Sequence, residues 1–175
     1  MGTAAQQRDF TPRGEQKPVR DGVARSTADF GVGVSGRVVD VAWKQVTRVA
    51  DVKFVDELLR RAHAGKQEPL VFLQFVPPTA QVPGSREREA VAELLSESAR
   101  LVSHSATVYA GSGFRAAMVR SIVIGINALA RHPYPIRVFS TVAAAASWFE
   151  HNRHDISAES TIDLVERILH ADVTE

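Results

Sequence analysis

At 175 residues, with 45% hydrophobic and 23% charged residues, the chain has the size and composition of one globular domain with terminal extensions. A formal charge of +1 argues against a general nucleic-acid binder, and the absence of cysteine excludes a disulfide framework, a thiolate metal site and a cysteine nucleophile. No apolar run reaches the ~20 residues of a membrane helix, and the N-terminus has no apolar signal core, so the expected location is the cytoplasm.

Residues 1–28, rich in Gln, Arg, Thr, Pro and Gly and without apolar periodicity, read as a solvated tail. Phe30, Val32 and Val34 then alternate with Gly31, Gly33 and Ser35. After a turn at Ser35-Gly36, Val39, Val41 and Trp43 resume the alternation, which predicts an antiparallel hairpin. The glycines weaken its first strand and place it at a sheet edge. Asp51 is expected to cap a helix running to Ala64, with Val52, Val55, Leu58, Leu59 and Ala62 on one face and Gly65 as its stop.

The unbroken apolar run Leu70 to Val76 predicts a central strand, ended by Pro77-Pro78. A long loop to Gly84 follows, then a helix capped by Ser85 and reaching about Val102. Ala106 to Ala110 reads as a short strand. Phe114 to Ala130 is a helix apolar almost all round, which predicts the most buried helix of the fold. Ile136 to Phe139 is the last strand, and helices over Ala143 to Phe149 and Ala158 to Leu169 close the chain. The resulting order, β-β-α-β-α-β-α-β-α-α, is that of an α/β domain built on one mixed sheet.

Charge is unevenly distributed. From Ser98 to Phe149 there is no Asp or Glu, while Arg100, Arg115, Arg120, Arg131 and Arg137 are present. From Glu150 to Glu175 seven acids face Arg153 and Arg167. Such an asymmetry predicts that the acidic last helix covers the basic surface, in the same chain or from a second copy, ahead of an external anion.

Inside the acid-free stretch, Gly111-Ser112-Gly113-Phe114-Arg115 joins a strand to a helix. Backbone N–H groups at a helix start, with Arg115 in the first turn, suit an anionic ligand such as a nucleotide or a lipid headgroup. Gly111-x-Gly113-x-x-Ala116 also matches a relaxed dinucleotide fingerprint. Against true dinucleotide binding, no acid follows the next strand to hold a ribose, and only one strand remains. Tight turning and close packing by the two glycines, with Ser112 as a helix cap, is the plainer reading. His151, His154 and Asp155 lack a second ligand pair and read as solvated residues, with no metal site. The serines lack a G-x-S-x-G elbow, so hydrolase chemistry is not supported.

Val71-Phe-Leu-Gln-Phe, Tyr109-Ala-Gly-Ser-Gly-Phe-Arg and Arg137-Val-Phe-Ser-Thr-Val-Ala-Ala-Ala-Ala-Ser-Trp-Phe, taken together, resemble the STAS-like proteins, in particular the bacterial SpoIIAA-like (STAS/SEC14-type) domains. The resemblance spans roughly Phe30 to Asn152. It implies a four- or five-stranded mixed sheet with helices mainly on one face. It further implies a non-catalytic regulatory module without a cofactor, acting on a protein partner or a second copy of itself in bacterial signalling. By the same likeness Ser85 stands where some members carry a phosphorylatable residue, with Thr79 and Arg86 beside it, although the preceding Asp of those members is missing here. The expected division is a tail over 1–28, a STAS-like domain over 29–153 and a helical extension over 154–175, the last a candidate surface for self-association or a partner.

Overall fold

A computed structural model of the chain describes residues 19–172. Its six strands lie in chain order across one mixed sheet: β1 (Gly22–Ser26), β2 (Phe30–Ser35), β3 (Val38–Trp43), β4 (Leu70–Val76), β5 (Val102–Tyr109) and β6 (Ile136–Phe139). β1, β2 and β3 form an antiparallel meander, and β3 to β6 run parallel. The parallel strands are joined by three helical crossovers, α1 (Val49–His63), α2 (Ser85–Glu97) and α3 (Gly113–Leu129). After β6 the chain continues as α4 (Val142–Asn152) and α5 (Ala158–His170).

Both faces of the sheet are apolar, and each has its own core. Val39, Val41 and Trp43 of β3, with Leu70 and Phe72 of β4, point to the face covered by α1, α2 and α3. Val38 and Ala42 of β3, with Val71, Leu73 and Phe75 of β4, meet α4 and α5 on the other. β4 is buried on both sides, which is why its sequence shows no alternation. The α/β class and the single mixed sheet agree with the sequence reading. The sheet has six strands where four or five were expected, and helices cover both faces instead of mainly one.

The sixth strand comes from residues assigned to the tail. Only residues 1–18 of that segment lie outside the described structure, whereas Gly22–Ser26 pairs with β2 through a bulge between Val23 and Arg25. β2 is therefore internal. Its glycines admit close neighbours: a Cβ on Gly33 would stand 2.8 Å from the carbonyl oxygen of Gly22 and 2.9 Å from Leu164 Cδ1.

Helix boundaries also shift. α1 starts two residues before Asp51, with Arg48 at the N-cap position and no side-chain cap. α2 stops at Glu97 and passes through a 3₁₀ turn (Ser98–Arg100), so β5 begins at Val102, four residues before the expected strand. α5 buries Leu164, Val165 and Ile168 against β1, β2 and β3, making it part of the second core.

Candidate functional site

β3, β4 and β5 deliver their C-terminal ends to one edge of the sheet, the edge at which parallel α/β sheets present their loops for binding. Three loops meet there. The amide of Gln81 donates to the carbonyl of Gln45 (2.7 Å), and that of Ala110 donates to the carbonyl of Val76 (3.3 Å). The Arg115 guanidinium, from the first turn of α3, donates to the carbonyl of Ala80. Thr79, Ser85, Arg86, Gly111, Ser112, Gly113 and Arg115 all belong to these loops or to the helix starts that follow them.

Their local geometry separates two uses. Gly113 has φ +66°, a left-handed conformation that glycine adopts without strain. At Gly111 a Cβ would stand 2.4 Å from the Tyr109 ring, so glycine is required for the chain to pass over that buried side chain. Ser112 occupies the N-cap position of α3 but makes no capping hydrogen bond, contrary to expectation. Ser85 is the first residue of α2, after Gly84. The Glu87 carboxylate lies over Gly84, where its negative charge already meets the positive end of the helix. Thr79, Ser85 and Arg86 are exposed.

The acidic C-terminal helix does not lie over this edge. α5 packs on the opposite face of the sheet, and neighbouring acids are engaged locally. Asp155 pairs with Arg37 and Arg153, Asp163 pairs with Arg167 (3.0 Å), and Glu150 accepts from the Ala158 amide (3.1 Å) at the start of α5. Arg137 lies over the Trp148 ring, 5.3 Å from its centroid, which places it with α4.

α3 departs furthest from its sequence reading. Of its seventeen residues two, Ala116 and Ile126, are buried. Phe114 is 87% exposed, and Ile124 and Leu129 are each 65% exposed. The physical reason is position: α3 crosses from β5 to β6, which has only four residues, so the sheet ends beneath it. The helix meets α2 and β5 along a narrow inner stripe and shows an apolar outer face.

α3 is held at its ends. Beside the Arg115 bond at its start, the Arg131 amide donates to Ser96 Oγ (3.0 Å), and the Tyr134 hydroxyl donates to the Leu95 carbonyl (2.9 Å). Under its middle lies a cavity of about 80 Å³, walled by Trp43 and Gln74 of the sheet, Val91 and Leu95 of α2, and Val119 and Val123 of α3. The one local trace of this space in the sequence is Gln74, the single polar residue of the apolar run Leu70–Val76.

No family model matches the chain, and no curated protein and no solved structure was found to be similar to it.

Proposed function

We propose that the chain is a non-catalytic regulatory module of STAS-like type that acts by binding another protein through the outer face of α3. The observation that carries this reading is the exposure of Phe114, Ile124 and Leu129 on a helix whose exposed residues also include the small Ala117, Ser121, Gly125 and Ala128. Contiguous exposed apolar surface of this kind marks interaction sites, and an aromatic residue such as Phe114 is a typical anchor. Arg115, Arg120 and Arg131 are exposed on the same helix and its end, in a stretch without a carboxylate. The fitting partner presents apolar side chains bordered by Asp or Glu, since charge complementarity favours encounter and register.

A photo-crosslinking residue at Ile124, in the full chain expressed in its native cells, tests the assignment. One at Glu166 on α5 serves as the control. The expected result is a crosslink from Ile124 alone, mapping to an apolar, acid-rich segment of another protein. That purified protein should then lose at least about tenfold in affinity (~1.4 kcal/mol) for Phe114→Asp, with the thermal midpoint of the variant unchanged. Equal crosslinking from both positions, crosslinking only to the chain itself or to lipid, or undiminished binding by Phe114→Asp would overturn the proposal.

A further inference from the structure

The cavity beneath α3 has a consistent chemistry. None of the described residues that line it carries a charge. Most are aliphatic; Thr47 and Gln81 belong to the loop part of the wall, and three further polar side chains come from three regular elements: Gln74 of β4, Thr107 of β5 and Asn127 of α3. Gln74 is 6% exposed and Thr107 is 4% exposed.

These polar groups are not satisfied by the protein. The Asn127 side-chain oxygen is buried without a hydrogen-bond partner among the described residues. The Gln74 oxygen accepts from the Trp43 indole N–H at 3.4 Å, and its amide nitrogen donates to no described residue. The Thr107 hydroxyl likewise makes no hydrogen bond among the described residues. Leaving a buried polar group unpaired costs about 1–3 kcal/mol, so the buried Asn127 oxygen, with the Gln74 amide nitrogen and the Thr107 hydroxyl beside the same apolar space, favours an occupant that completes it. Between them they offer an acceptor (Asn127), a donor (Gln74) and a group able to play either part (Thr107).

We infer that this cavity is a binding site for a small, uncharged, largely apolar molecule whose one polar end both donates and accepts hydrogen bonds, as a hydroxyl or a primary amide does. The aliphatic walls take the body of the ligand, and the three polar side chains fix its polar end. A carboxylate or phosphate is disfavoured, because no cation lines the space and burying an unpaired charge is far costlier than burying a hydroxyl. About 80 Å³ is only about half of the ~150 Å³ that holds a benzene ring in an apolar protein cavity, so a ring enters this space only if its roof gives way. The roof is α3, fixed at its two ends and lightly packed between them, so its middle turns can rise to admit a ring. Val82, 43% exposed, is part of the wall, which brings the cavity to the surface beside the 77–84 loop. This site lies on the inner side of α3 and is independent of the outer face proposed above for a protein partner.

Three probes of similar shape separate the contributions: phenol, toluene and benzoate, each titrated into the isotopically labelled full chain and followed by two-dimensional NMR. Phenol is expected to shift the signals of Thr107, Val119, Val123 and Asn127 in a saturable way. Toluene should bind more weakly at the same residues, and benzoate should leave them unmoved. Thr107→Val should weaken phenol at least about fivefold while leaving toluene unchanged. Val123→Phe, which fills the space, should abolish both, with a melting curve showing that the variant is folded. Phenol shifts scattered over the surface, benzoate binding as well as phenol, phenol affinity untouched by Thr107→Val, or no saturable shift with any probe would overturn the assignment, the last meaning that water alone occupies the cavity.

Discussion

Arg115 reaches back from the first turn of α3 to the main-chain carbonyl of Ala80, tying the loop after β4 to the helix after β5. This one side chain joins segments 35 residues apart in sequence. It also directs one guanidinium nitrogen to a main-chain carbonyl and away from Gly111 to Gly113. Arg115→Ala should therefore act locally. Amide exchange at Gln81, whose N–H donates to the Gln45 carbonyl at 2.7 Å, is expected to quicken about tenfold (~1.4 kcal/mol). The first turn of α3 should quicken with it, while the amides of β4 keep their protection. Arg120→Ala is the control and should change neither. Exchange at Gln81 equal to that of the parent chain would show that the loop is held without Arg115.

Gly31 and Gly33 carry the second prediction. A Cβ on Gly31 would stand 2.7 Å from Ile168 Cγ2 and 3.3 Å from the Ile168 carbonyl oxygen. α5 lies directly on the backbone of β2 at this point, and there is no room for a methyl group. Gly31→Ala should cost about 1–3 kcal/mol, the usual range for overpacking, and lower the thermal midpoint by roughly 2–4 °C per kcal/mol for a chain of this size. Combining it with Ile168→Ala should cost less than the sum of the two single variants, because the second substitution removes the atom that clashes. Strict additivity in that cycle would mean that α5 does not sit on Gly31.

How much of this was legible beforehand depends on which force sets each feature. β4 was readable because burial on both faces leaves an all-apolar run, and Pro77-Pro78 marks its end. The convergence of the 77–84 loop and the Gly111 to Arg115 turn follows from the parallel pairing of β4 with β5, which the sequence reading did not include. β1 was not readable: Val23 is the one large apolar residue of Gly22–Ser26, and the strand is held by backbone pairing that leaves no side-chain pattern. The glycines of β2 suggested an edge, whereas they mark the close approach of α5. The environment of α3 was misread for a related reason. Periodicity reports which residues of a helix are apolar, but the length of β6 decides how much sheet lies under it. The cavity was invisible because Gln74, Thr107 and Asn127 meet only through the tertiary fold.

Asp40 gives the last prediction, and it turns on pH. The residue lies in β3 between Gly33 of β2 and Leu73 of β4, fully buried, with neither carboxylate oxygen hydrogen-bonded among the described residues. Burial alone raises its pKa well above 3.8, with no charged neighbour contributing to the shift. In the unfolded chain the same carboxyl ionises near its ordinary value, so from about pH 4 upward the unfolded state releases a proton that the folded state retains. Across that window the folded state binds more protons. Stability therefore falls as pH rises, by up to about 1.4 kcal/mol per pH unit, until the folded-state pKa is passed. Asp40→Asn removes the titration while keeping the shape. Its stability relative to the parent chain should rise steadily with pH from 4 toward 8 and level off above the folded-state pKa. Urea unfolding of both chains at each pH unit gives the difference curve directly. A flat difference would mean that Asp40 has a partner in solution and stays ionised inside the fold.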